Sequence, residues 1–147
     1  MAVDSFFGKD DPLYQLEQLG KTVYLESSGE PYKGKLAVAW VIVNRATDQR
    51  WKDDPAACCH EAYQFSCWNS DDSTKEWRKA RLDTMRGTDA YTESVRAACA
   101  AYFSLESDPT KGATHYLVTR IQDQTYWAKD KLPCAVIGHH SFFNTVS

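Results

Sequence analysis

The apolar positions of this chain keep a helical period over its first two thirds and lose it afterwards. Behind Asp11-Pro12, a capping residue followed by a proline suited to a first turn, Leu13, Leu16, Leu19 and Val23 recur at intervals of three and four, which is the spacing of an amphipathic helix. Extending that stripe by three residues reaches Glu26, just before Ser27-Ser28-Gly29-Glu30-Pro31 breaks the helix. A carboxyl group is therefore expected at the mouth of the core. The run from Leu36 to Val43 is apolar on every face, which suits a buried helix or a buried strand; its two alanines and its length favour a helix over 34–45. Asp53-Asp54-Pro55 predicts a turn, 56–63 a short helix, and Gln64-Phe65-Ser66-Cys67-Trp68-Asn69-Ser70 an aromatic-bearing loop. Two more helices are predicted over 73–85 and 89–105, the second carrying Tyr91, Val95, Ala98, Tyr102 and Leu105 on one side. Beyond Gly112 the period changes, and 113–118 and 134–138 read as strands of a small antiparallel element separated by a long polar connection. The expected class is α+β: one mainly helical domain over 1–147, with a small antiparallel β-element near the C-terminus.

Composition narrows what such a domain can do. A net charge of -3 leaves no basic footprint for a polyanion, so nucleic acid is set aside as a partner. The opening ten residues lack a basic stretch followed by an apolar core, and the longest apolar run, eight residues, is too short to cross a bilayer. The expectation is a monomer without a signal peptide and without stable membrane association, held in the cytoplasm until something else exports it. Aromatic residues make up 13%, with five Trp and eight Tyr, which serves either core packing or the stacking faces of a sugar-binding cleft. Five cysteines, an odd number without regular spacing, read as free thiols rather than a disulfide framework.

Three kinds of chemistry compete for these residues. A metal site is disfavoured, because neither His-Glu-x-x-His nor paired Cys-x-x-Cys is present, and no cofactor is expected. Cys67 with His115, His139 or His140 and a polar partner such as Asn144 can build a Cys-His hydrolase, although Cys67, flanked by Phe65 and Trp68, also suits a small buried position. Glu26 is the third candidate. On the apolar stripe it is expected to be partly desolvated, which raises a carboxyl pKa toward what a general acid needs; a solvated helix end is the other reading. Glu30, four residues on, would share its face if the helix continued.

The blocks Tyr24-Leu25-Glu26-Ser27-Ser28-Gly29-Glu30-Pro31-Tyr32-Lys33-Gly34 and Ala37-Val38-Ala39-Trp40-Val41-Ile42-Val43-Asn44-Arg45 resemble the opening of the SleB/CwlJ-like cell-wall hydrolases, the spore-cortex-lytic enzymes and their phage relatives. Three later blocks agree in order: Gln64 to Asn69 with the family's aromatic loop, Gly112-Ala113-Thr114-His115-Tyr116 with its first strand, and Ile137-Gly138-His139-His140-Ser141-Phe142-Phe143 with its closing block. The resemblance implies a lysozyme-like fold, bacterial peptidoglycan as the partner, and the glutamate of the first block, Glu26, as catalytic residue. It further implies a lytic transglycosylase, in which one glutamate protonates the glycosidic oxygen and then deprotonates the muramic 6-hydroxyl. Glu30, Gln64, Ser66, Trp68, Asn69, His115, Tyr116 and His140 are the expected cleft-lining residues. Glu30, Asp71 and Asp72 are candidates for a second carboxylate, should a true muramidase be at work. Ser27-Ser28 departs from a more usual Ala-Arg pair. Without an export signal or a wall-binding domain in view, the chain looks like a phage endolysin that waits in the host cytoplasm for a holin before reaching the wall. A non-catalytic peptidoglycan-binding module of the same fold is the other class to keep.

Overall fold

The computed structural model describes residues 11–61, 65–85 and 87–147. Among the described residues, five helices precede the sheet: α1 (Pro12–Ser27), α2 (Tyr32–Ala46), α3 (Pro55–His60), α4 (Asp72–Thr84) and α5 (Asp89–Tyr102), with a 3₁₀ turn at Ser66–Trp68. Each start is written locally. Asp11, Asp54, Asp71 and Thr88 accept from backbone N–H groups that the first turns of α1, α3, α4 and α5 leave open. The run 36–43 is helical, and α2 is the buried centre: Ala37, Val38, Ala39, Val41 and Ile42 are fully enclosed, with α5 packed against both α1 and α2. Helix α5 stops at Tyr102, short of the expected Leu105, because Ser104 turns to positive φ.

The stripe on α1 differs at its start from the expected one. Leu19 and Val23 are fully buried, but Leu13 is 63% exposed. Gln15 takes the buried place, donating to Asp54 Oδ1 at 3.0 Å and accepting from the Ala56 amide at 2.7 Å, so that α1 and the start of α3 are tied by polar contacts.

The sheet has three strands rather than two: β1 (His115–Val118), β2 (Ala135–Ile137) and β3 (His140–Phe143), antiparallel in the order β1-β3-β2. The unexpected strand is central, and all four of its residues are buried. A strand covered on both faces shows no alternation in its sequence, which removes the signal by which strands are found. Gly138 and His139 close the β2–β3 hairpin. Among the described residues, no helix is long and apolar enough to cross a membrane.

Candidate active site

Three elements converge on one carboxyl group. Glu26 sits in the last turn of α1, where Tyr116 of β1 donates its hydroxyl to Oε1 at 2.6 Å, and the thiol of Cys67, in the 3₁₀ turn, is hydrogen-bonded to the same carboxylate. Burial pushes the Glu26 pKa up, and the Tyr116 and Cys67 bonds with the charges of His140 and Arg45 only partly oppose it. The tyrosine is itself driven well above its ordinary pKa by burial and by the neighbouring carboxylate, so it stays a neutral donor. The carboxyl opens onto a groove of about 300 Å³ lined by Glu26, Ser66, Cys67, Ser73, Thr74 and Trp77.

One wall of that groove is α4, a helix with no buried residue. Arg78 fastens it by donating to the carbonyls of Cys67 and Asn69, at 2.8 and 3.1 Å, and Trp77, 43% exposed, stands over the groove. Sequence reasoning passed over Trp77. The available signal was a single large aromatic among Lys75, Glu76, Arg78 and Lys79, an apolar face left on a charged helix.

The other expected cleft residues divide. Ser66 lies in the groove with Glu26. Trp68 and Asn69 line a separate cavity of about 410 Å³ with His60 and Asp71, and the Trp68 indole donates to Thr22 Oγ1 at 2.9 Å. His115 does not face the groove: strand alternation turns it opposite to Tyr116, and it packs 5.4 Å from the Trp51 ring and 5.3 Å from that of Trp127. Glu30 and His140 are buried behind Tyr116. The Glu30 carboxylate accepts from the His139 amide, and it lies 3.1 Å from His140 Nδ1, so it does not share a helix face with Glu26 as a continued helix would require. Gln64 lies outside the described residues.

The cysteine chemistry finds no support in this arrangement. Cys67 is 3% exposed, and burial together with the adjacent Glu26 holds its thiol far above the ordinary value, which is the opposite of a nucleophile's environment. Asn144 donates to the Lys111 carbonyl. Nor does Asp71 face Glu26: it caps α4 and is held at a pKa of about 2 by bonds from Thr74 and Ser73.

A sequence profile described as cell wall hydrolase matches residues 29–143, most of the chain. The chain belongs to the cell wall hydrolase family. The match starts after Glu26, so the environment of that residue rests on its own geometry. A spore cortex-lytic enzyme of Halalkalibacterium halodurans is 27% identical over 136 residues, covering 88% of this chain and 34% of the relative; the chain thus spans about a third of that protein's length. Two solved structures share the fold. The catalytic domain of the germination-specific lytic transglycosylase SleB from Bacillus anthracis aligns with a TM-score of 0.69, at 23% identity, over 93% of this chain and 99% of that one. For the catalytic domain of the Bacillus cereus SleB protein the values are 0.65, 23%, 90% and 91%. The mainly helical architecture with its small antiparallel sheet is therefore that of the SleB catalytic domains.

Proposed function

We propose that this cell wall hydrolase cleaves the glycan strand of peptidoglycan at the β-1,4 bond between N-acetylmuramic acid and N-acetylglucosamine, as a lytic transglycosylase with Glu26 as its acid and base. The observation that carries the reading is a desolvated carboxyl with raised pKa in an open groove, because burial makes the carboxyl keep its proton to higher pH than a free glutamate, and a protonated carboxyl can give that proton to a leaving oxygen. With Tyr116 donating to Oε1, the acidic proton rides on Oε2. It passes to the glycosidic oxygen as the bond to C1 of the muramic residue breaks. The carboxylate left behind accepts the proton of the 6-hydroxyl as that oxygen attacks C1, and a 1,6-anhydro ring closes without water. Among the described residues lining the groove, Glu26 is the one carboxylate; a hydrolase working by two carboxylates needs a partner about 5–9.5 Å away. Trp77 offers an indole face to a sugar ring, and Ser66, Ser73 and Thr74 offer hydroxyls.

Zymography on purified walls tests this against a binding module. Glu26→Gln should reduce clearing by at least about a hundredfold, the scale of a general acid, while melting no lower than the parent, since it removes a carboxyl that burial disfavours. A Cys67→Ser protein should keep clearing, whereas a folded but inactive one would restore the thiol mechanism. The setting proposed alongside is an endolysin that stays in the host cytoplasm until a holin opens the membrane. Cultures expressing the protein should then lyse with a holin and persist without one.

A further inference from the structure

The hydrogen bond at the reacting carboxyl spans two layers of the fold. Glu26 ends a helix, Tyr116 belongs to the sheet, and 90 positions separate them in the chain. Something has to fix the distance between the end of α1 and the sheet, or the tyrosine hydroxyl would drift from the acid.

Four residues after Glu26, at the corner between α1 and α2, Glu30 reaches across that gap. The Glu30 side chain is 7% exposed. Oε1 accepts from the His139 amide at 2.7 Å, Oε2 from the His139 ring Nδ1 at 2.7 Å, and Oε1 lies 3.1 Å from His140 Nδ1. Gly138 makes room: it has a φ of +57°, and a Cβ there would stand 2.5 Å from Glu30 Oε1. The far side of the same turn is tied to the end of β1, where the Thr119 amide donates to the His139 carbonyl at 2.8 Å. The next residue, His140, lays its ring edge-on to Tyr116, with centroids 5.1 Å apart and planes at 86°, while Phe142 stacks on Tyr116 at 5.7 Å. Both rings that confine Tyr116 thus sit on β3, whose first residue is part of the turn that Glu30 grips.

We propose that Glu30 is a positioning residue for catalysis: by gripping the Gly138–His139–His140 turn it holds the sheet, and with it the Tyr116 hydroxyl, in hydrogen-bond reach of Glu26. This rests on Glu26 being the acid. The role is geometric rather than electrostatic. After burial, the largest influences on the Glu26 charge are Tyr116, Cys67, His140 and Arg45, and those on Glu30 are His139 and His140; neither carboxylate is among the leading influences on the other. His140 is shared by both sets, but burial holds it below the ordinary histidine value, so the charge it lends to either carboxylate is present only on the acid side and it is neutral on the alkaline limb.

The test is the pH dependence of kcat/KM on purified peptidoglycan, whose alkaline limb reports the Glu26 proton and whose position does not depend on the fraction of protein that is folded. Tyr116→Phe removes a donor that favours the carboxylate, so the limb moves up by about one pH unit. Glu30→Asp keeps the charge but is one methylene too short to grip the turn, and its limb should move in the same direction. Glu30→Gln has the length and an oxygen for the His139 amide, and its limb should stay at the parent's pH. In Tyr116→Phe/Glu30→Asp the shift should be no larger than in Tyr116→Phe alone, because no hydroxyl remains to be misplaced. A limb that moves in the glutamine variant but not in the aspartate variant, additive shifts, or no shift in either Glu30 variant would overturn the proposal. Wall clearing that survives Glu26→Gln, or a parent profile with no alkaline limb, would instead overturn the assignment of the acid.

Discussion

Gly138→Ala probes the contact that joins the helical layer to the sheet, and its effect can be worked out from two separable costs. At a φ of +57° an alanine is in the left-handed region, which costs about 1–2 kcal/mol. The added Cβ would also meet Glu30 Oε1 at 2.5 Å and Pro31 Cδ at 3.3 Å. The carboxylate must then leave a turn where it accepts two hydrogen bonds, and bonds to a charged group contribute about 1.5–3 kcal/mol each. Partial relaxation recovers some of this, so the expected loss is about 3–5 kcal/mol, a large share of the stability of a domain this size. Two other glycines separate the terms. Gly112 has a φ of +83° but nothing within 4 Å of an added Cβ, and Gly29 has neither feature. Urea denaturation at pH 7 should give Gly112→Ala the backbone cost alone, leave Gly29→Ala within about 0.5 kcal/mol of the parent, and rank Gly138→Ala well below both. Equal losses for Gly138→Ala and Gly112→Ala would refute the claim that the Glu30 carboxylate needs the vacant Cβ position.

Two further predictions follow from the site and its surroundings. Trp77→Ala should raise KM on peptidoglycan about tenfold with kcat little changed, since an aromatic contact beyond burial contributes about 0.5–1.5 kcal/mol; a fall in kcat at constant KM would remove the indole from substrate binding. His115 is held at a pKa of about 4 by burial and by the charges of Arg45 and Arg50, below the 6.5 of a free histidine, so the unfolded chain binds its proton more readily. Stability should thus be full above pH 6.5 and fall as the pH drops from 6.5 toward 4, by about 1–2 kcal/mol once solvent screening of this half-buried ring is allowed for. His115→Phe should flatten that slope in urea titrations, and an unchanged slope would contradict the assignment.

Much of the helical layer was legible because its signals are local. Asp11-Pro12 and Asp54-Pro55 announce their helices within a few residues, and the apolar run around Ala39 marks the centre of the core. The central strand was not legible, since His140, Ser141, Phe142 and Phe143 are all enclosed and so carry no period. Within the site, the helix stripe already carried Glu26 to the edge of the core, but its Tyr116 partner lies 90 positions away and the Glu30–His139 contact spans 109; neither pairing leaves a mark in local spacing. The opposite faces of His115 and Tyr116 follow from strand alternation alone, which separates the two across the strand. Trp77 escaped because a charged, unburied helix gives no reason to look for a binding face.

The released product distinguishes a transglycosylase from a hydrolase most directly. Purified peptidoglycan digested with the protein should release muropeptides ending in 1,6-anhydro-N-acetylmuramic acid, lighter by one water than hydrolysed ends, and Glu26→Gln should release none. Fragments carrying a reducing N-acetylmuramic acid would contradict a single carboxyl acting as both acid and base.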